Sequence, residues 1–196
     1  MREFKTDRRK SKIISVINSR QKYLRVVLEN IHDPHNVSAI FRTCDAVGVP
    51  KISMIYNLEK FPKIGKKSSA SAFKWVEKEK FKSVKECYEK LKNEGFSIYA
   101  SSFSQDAVSL YDLDLTGKIA IVLGNEHRGV SEEAANFADK KFLIPMRGMV
   151  QSLNVSVATA VVLYETYRQR FYKGFYDSSE FSSDELENMI DGWCRK

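Results

Sequence analysis

The chain is poor in cysteine, proline, glycine and histidine: three, four, nine and three residues in 196. Cys44, Cys87 and Cys194 are too few and too scattered for a disulfide framework, and no C-x-x-C pair offers a zinc site. His32 and His35 stand three apart with no third ligand nearby, so hydrogen-bonding or surface roles outweigh metal binding. No run approaches the ~18 consecutive apolar residues of a membrane span. Met1-Arg2-Glu3-Phe4-Lys5 opens into more charge instead of an apolar leader, which argues against a secretory signal. These absences predict a reduced, cytoplasmic protein with neither metal nor membrane. What is present is 43% hydrophobic residues, enough for a core and against disorder, with one domain the default at this length.

Charge is more informative by segment than in total. The chain has 32 Lys+Arg against 25 Asp+Glu, a net +7. Residues 1–25 carry nine basic and two acidic groups, and residues 51–92 carry twelve lysines and five glutamates. The remainder is net acidic. Positive charge gathered in an N-terminal arm and one lysine-rich stretch is what a polyanion binder shows. Lysines that merely keep a fold soluble give the same count, so charge leaves both readings open.

Apolar spacing predicts a helix over 6–21 with Ile13, Ile14 and Ile17 on one side. Strands are expected at 23–28, 51–56, 74–79, 96–100, 118–123 and 141–144. Asn36 reads as the N-cap of a helix that carries Val37, Ile40, Phe41, Cys44 and Val47 and stops at Gly48. Residues 62–72 read as a mobile polar loop. Ser83 opens a helix with Val84, Cys87, Tyr88 and Leu91 on one face, and Ser131 opens a short one. Ser182-x-x-Glu185 is a capping box for a tail helix. Alternating strands and helices give an α/β fold around a mostly parallel sheet with helices on both faces. The helix expected over 153–167 has almost no polar face around Val155, Val157, Ala158, Ala160, Val161, Val162, Leu163 and Tyr164. Such a helix must be covered on all sides, which predicts an obligate homodimer.

Several familiar catalytic patterns fail. Gly124-x-x-x-x-Gly129 has P-loop spacing but is followed by Val130-Ser131, so the lysine that meets the β/γ-phosphates is missing. There is no G-x-G-x-x-G and no G-x-S-x-G. Three polar clusters remain, each beside an apolar strand. In the first, Asn36 is followed by Ser38, Arg42 and Asp45 on one helix face; a plain Arg42–Asp45 surface pair is the bland alternative. The second is the loop Gly124-Asn125-Glu126-His127-Arg128-Gly129, whose glycines let backbone N–H groups approach a ligand. The third runs from Ile144-Pro145-Met146 through Gly148 and Met149 to Ser152-Leu153-Asn154. Ligands of open α/β sheets bind beyond the C-terminal strand ends, where such loops gather.

In series these clusters resemble the SpoU branch of the SPOUT RNA methyltransferases. Asn36-x-x-Ala39-x-x-Arg42-Thr43 is similar to the branch's first motif, Gly124-x-Glu126-x-x-Gly129 to its second, and Ile144-Pro145-Met146 with Ser152-Leu153-Asn154-Val155-Ser156 to its third. Three longer runs are similar to the members that methylate the tRNA D-loop guanosine at position 18. These are 34–40, 148–154, and Tyr167-Arg168-Gln169-Arg170 with the capped tail helix. The resemblance implies an α/β domain whose C-terminal part threads a trefoil knot, at 23–167, with a basic helical arm at 1–22 and a helical extension at 168–196. It implies a dimer with the apolar helix in the interface. It also implies S-adenosylmethionine as cofactor and tRNA as partner, with methyl transfer to a ribose 2′-hydroxyl.

By the same resemblance Arg42 is catalytic, acting near the target phosphate, with Asn36, Glu126, Ser152 and Asn154 shaping the site around it. Ser101, Leu123, Gly124, Ile144, Met149 and Leu153 are the expected cofactor pocket. Arg8, Arg9, Lys10, Arg168 and Arg170 are the expected RNA contacts. Asp33 departs from the pattern, standing where relatives often carry Lys. Another SpoU target, rRNA or the tRNA wobble ribose, is the nearest alternative. A catalytically silent RNA-binding scaffold is the alternative of another class, and a small-molecule methyltransferase fits poorly with the two basic segments.

Overall fold

The computed structural model describes residues 5–62 and 71–196. Its frame is a seven-stranded, all-parallel sheet in the order β3-β2-β1-β6-β4-β7-β5. The strands are β1 (Leu24–Glu29), β2 (Lys51–Ile55), β3 (Glu77–Phe81), β4 (Ser97–Ser101), β5 (Val108–Ser109), β6 (Ile119–Leu123) and β7 (Lys140–Leu143). The helices are α1 (Asp7–Asn18), α2 (Pro34–Ala46), α3 (Val84–Asn93), α4 (Glu132–Phe137), α5 (Val155–Tyr172) and α6 (Ser183–Cys194).

A parallel strand is covered on both faces and so reads as a continuous apolar run. β1 and β6 at the centre are buried throughout. Their alternate residues serve two cores. Leu24, Val26, Leu28, Ile119, Ile121 and Leu123 pack with Val37, Ile40 and Phe41 of α2 and Val162 and Leu163 of α5. Val27, Ala120 and Val122 pack on the other face with Val84, Cys87 and Leu91 of α3 and Ala134 of α4. Two polar residues in β1 are buried with partners: Arg25 lies 3.4 Å from Glu94 and 3.7 Å from Glu79, and Glu29 accepts the Ser131 N–H at 2.9 Å. A third, smaller cluster joins α1 to α6 through Ile13, Ile17, Trp193 and Cys194.

Two crossovers position the site. From β1 the chain runs through α2 to β2 on one side, and from β6 through α4 to β7 on the other. The loops leaving the adjacent strands β1 and β6 therefore diverge and open a crevice at their C-terminal ends. In addition, β7 lies between β4 and β5, although those two strands are joined by 102–107 alone.

Several local expectations shift. α2 is capped by Asp33, which accepts the His35 N–H at 2.8 Å, with Pro34 in the first turn, so Asn36 lies inside the helix. The departure at Asp33 is thus a helix cap. Ile14 is exposed while Ile13 and Ile17 are buried. β3 begins at Glu77, three residues later than expected, and β5 was not anticipated. The last long helix starts at Val155 behind an Asn154 cap and continues to Tyr172. The capping box of Ser182 and Glu185 forms as read. The polar loop expected at 62–72 falls largely on 63–70, outside the described residues.

Candidate active site

Each of the three polar clusters contributes one side chain to a single relay. Asn154 Nδ2 donates to Asn36 Oδ1 at 3.1 Å, and Asn36 Nδ2 donates to Glu126 Oε1 at 2.8 Å. Glu126 also accepts the His32 N–H at 2.9 Å and the Asp33 N–H at 3.2 Å. Burial pushes this carboxyl's pKa up, but the donors from Asn36, His32, its own backbone and Asp33 outweigh burial and hold it below the usual range. An anion is thus fixed where the loops after β1 and β6 meet the start of α5.

The second loop owes its shape to Asn125. Its Oδ1 accepts the N–H groups of His127 and Arg128 at 3.0 and 3.1 Å, and its Nδ2 donates to Asn30 O at 2.8 Å. Gly129 closes the turn in the left-handed region (φ 70°) and donates to Asn125 O at 2.8 Å. Gly124 is required for a different reason. A Cβ there would stand 2.1 Å from the backbone of Gly129 and Val130.

Asn30 is a further keystone that sequence reading missed. It adopts φ 51°, and its Oδ1 accepts three successive N–H groups, of Asn57, Leu58 and Glu59, at 3.1–3.2 Å. Its one local signal is chemical: asparagine tolerates left-handed backbone at a strand end. Glu59, so placed, binds Arg128 at 2.8 Å and lies 3.1 Å from His32 Nδ1. Those two partners, Arg128 first, hold the Glu59 carboxyl below its ordinary range. Both the hydrogen-bonding role of His32 and the lateral support of the second loop come from this cluster.

Beside the relay lies a cleft of about 570 Å³ at the C-terminal ends of β4, β6 and β7. Of the residues expected in the cofactor pocket, Ser101, Leu123, Gly124, Ile144 and Leu153 line it, joined by Glu126 and Ser152. Met149 does not: it is 100% exposed on the loop before α5 and forms no part of the wall. The cleft lies in the size range of cofactor sites. Its apolar walls (Leu123, Ile144, Leu153, Val155) suit a ring, its strand-end backbone and serines suit ring edges and hydroxyls, and the Glu126 carboxylate suits a cation. That donor set fits a nucleoside with a cationic tail.

Arg42 is exposed on α2 and does not line the cleft. The face it was expected to share is divided. Ser38 is buried, and Asp45 pairs with the buried Arg20, so the bland Arg42–Asp45 pair does not form. The expected RNA contacts divide too. Arg8 and Arg9 are exposed on α1, and Lys10 lies 3.5 Å from Asp7. Arg168 is exposed but held by Glu165 through two bonds of 2.8 Å. Arg170 is fully buried, its guanidinium donating to Leu115 O, Gln21 Oε1, Tyr23 O and Gly117 O. It ties α5 to the chain before β1 and before β6, and burial removes it from any RNA-facing set.

Seven parallel strands with three polar loops tied together at one cleft define the α/β architecture of the SpoU-type enzymes. A model of the SpoU rRNA Methylase family matches residues 23–164. The tRNA (guanosine(18)-2'-O)-methyltransferase of Thermus thermophilus is 43% identical over 196 residues, the whole of both chains. The solved structure of the Aquifex aeolicus TrmH/SpoU tRNA modifying enzyme aligns with a TM-score of 0.91 at 41% identity, covering 96% of each chain. The SpoU methyltransferase AviRb from Streptomyces viridochromogenes, solved with the cofactor AdoMet, shares the fold at 22% identity, with a TM-score of 0.70 over 79% of this chain and 62% of that one. The chain belongs to the SpoU methylase family.

Proposed function

We propose that this protein is an S-adenosylmethionine-dependent tRNA (guanosine-2′-O-)-methyltransferase that acts on the D-loop guanosine at position 18. The observation that carries the reading is the Asn154–Asn36–Glu126 relay, because it unites the three family motifs at the mouth of one cleft. The relatives named above support the tRNA guanosine as target, the full-length match most directly.

Ser101, Leu123, Gly124, Ile144 and Leu153 would hold the cofactor. When bound, S-adenosylmethionine supplies a methyl group already activated by its sulfonium. The chain's remaining task is to aim the ribose hydroxyl and manage its proton. A guanidinium cannot be deprotonated in a protein, so Arg42 acts as a donor and not as a base. Standing exposed on α2, it clamps the phosphate beside the target ribose and stabilises the negative charge that develops on the 2′-oxygen, while a phosphate oxygen takes the proton. Asn36, six residues earlier and about 9 Å along the helix axis, is fixed by Glu126 and Asn154, and so sets where α2 presents Arg42. Asn36, Glu126 and Asn154 are positioning residues in this scheme, and Ser152 contributes to the cleft rim.

The core at 23–167 carries this chemistry, while the arm at 1–22 and the extension at 168–196, whose helices α1 and α6 pack on one another, serve tRNA binding through Arg8, Arg9, Lys10 and Arg168. We infer that the seating of β7 beneath 102–107 is the threading of the family's trefoil knot, and that α5 pairs with a second copy. A tRNA substrate places the protein in the cytoplasm. The test is incubation with methyl-labelled S-adenosylmethionine and unmodified tRNA, followed by mapping of the modified nucleotide. Label on the ribose of guanosine 18 is expected; label on another nucleotide, or none, overturns the reading.

A further inference from the structure

The chain has two tryptophans, Trp75 and Trp193, and the fold brings them together with ring centroids 4.8 Å apart. With Arg9, Lys12, Ile13 and Asp45 they line a second cavity of about 190 Å³, and none of these residues lines the three-loop cleft. A cavity of ~150 Å³ is already enough for benzene, so this one admits an aromatic ring. Cations surround it. The Arg9 guanidinium lies 5.6 Å from the Trp75 ring centre, that of Arg20 lies 5.1 Å from Trp193, and Lys196 Nζ lies 5.8 Å from both rings. Among the described residues the acidic lining residue is Asp45, which accepts from Arg20 through Oδ1 and through its backbone carbonyl at 3.4 Å. Arg20 itself is fully buried, and its Nε has no hydrogen-bond partner among the described residues.

We propose that this cavity receives one unpaired nucleobase of the tRNA substrate, stacked against the half-buried Trp75, which is backed by the buried Trp193, with its flanking phosphates on Arg9 and Lys12. The proposal rests on the tRNA reading given above. Two indoles have no use for a bare phosphate, and a carboxylate in the wall repels one. A purely apolar guest, in turn, has no use for the surrounding cations. A nucleotide uses both: stacking for the base and positive charge for the backbone. The other carboxylate oxygen of Asp45 can accept an N–H from the base edge. Asp45 stands three residues beyond Arg42 on α2, about 4.5 Å along the axis, so the captured base is a near neighbour of the nucleotide presented to Arg42. The site also gives the α1–α6 contact a purpose, since Arg9, Lys12 and Ile13 come from α1 and Trp193 from α6.

Because both tryptophans lie here, emission excited at the red edge, where the nine tyrosines do not absorb, reports on this cavity. The native protein is titrated with unmodified tRNA while binding is followed independently by filter retention. The tryptophan emission should be quenched in proportion to occupancy, and tRNA should protect it from acrylamide. Trp75→Leu, which keeps apolar packing, should weaken tRNA binding about tenfold while leaving the slope of log affinity against log salt unchanged, because stacking releases no counterions. Lys12→Ala should weaken binding and lower that slope by about one. Emission that stays unchanged to full occupancy overturns the proposal even if the Trp75 variant fails to fold. So does a folded Trp75→Leu protein with native affinity. Methylation that persists with silent tryptophans sinks the cavity's assignment and spares the functional reading. A native protein that neither binds nor methylates tRNA sinks both.

Discussion

Glu126→Gln tests the relay with the least change of shape. The substitution keeps the side chain's size and turns one acceptor oxygen into an N–H donor. Whichever way the amide is turned, donor then faces donor: Asn36 Nδ2 and the Asp33 N–H on one side, or the His32 N–H on the other. A hydrogen bond to a charged acceptor is worth ~1.5–3 kcal/mol, and for a partly buried group the lower half applies, about 2 kcal/mol. At ~1.4 kcal/mol per tenfold, turnover should fall about 30-fold if the relay serves to place α2 and Arg42. The assay is single-turnover methyl transfer to tRNA, with tRNA affinity measured in parallel. Affinity should change by less than about twofold, because no phosphate contact is lost. A native rate, or an affinity loss as large as the rate loss, would refute the reasoning. The variant also has a pH signature. The folded-state pKa of Glu126 is depressed, so its ionised form contributes stability that is complete above the ordinary carboxylate value of ~4.3 and is lost as pH falls through the folded value. Thermal melts should therefore show a shallower acid decline in Glu126→Gln than in the native protein.

Arg42→Ala should lower turnover by about 10²- to 10³-fold, the usual range for one oxyanion donor, with cofactor affinity by calorimetry unchanged because Arg42 lies outside the cleft wall. Arg42→Lys should recover little, since an ammonium lacks the planar fork. Gly124→Ala forces a methyl against the backbone of Gly129 and Val130, and urea unfolding should show a loss of about 2–3 kcal/mol with weakened cofactor binding. Val157, Tyr164, Phe171 and Tyr172 of α5 are exposed in the single chain, so sedimentation at micromolar concentration should find a dimer, and a stable monomer would contradict the role given to that face.

The parts of the fold that were legible in the sequence are those that burial writes locally. Leu24–Glu29 and Ile119–Leu123 are covered on both faces, and their apolar runs say so. β3, at the sheet edge, spells Glu-Lys-Glu-Lys-Phe and carries no such run, so its start was misplaced. The seating of β7 between β4 and β5 is a fact of topology for which no window of sequence holds a signal. Among the site residues, Asn36, Glu126 and Asn154 could be picked out by motif. Asn30, Asn125 and Glu59 act by shaping the backbone of loops, and that role shows only once the chain is folded. Arg170 marks the limit of counting charges: it looks like one more basic residue of the tail, yet its donors are spent on carbonyls inside the protein.

The chemistry of the relay also explains the one cap that was misread. Asparagine is a good N-cap because its side chain turns back onto its own backbone. At position 36 the amide is committed elsewhere, accepting from Asn154 and donating to Glu126, and the cap passes to Asp33. The order of residue types in the chain of bonds follows from this. A carboxylate can only accept, so it ends the relay; the middle member must accept on one side and donate on the other, which an amide does and a carboxylate does not. Asn154 can begin it because its own oxygen is already engaged by the Ser156 N–H and hydroxyl at the start of α5. Three loops far apart in sequence are thus held by bonds that run in one direction, from the α5 cap to a fixed anion at the cleft. In this arrangement α2, and Arg42 with it, is oriented by the loops that line the cleft.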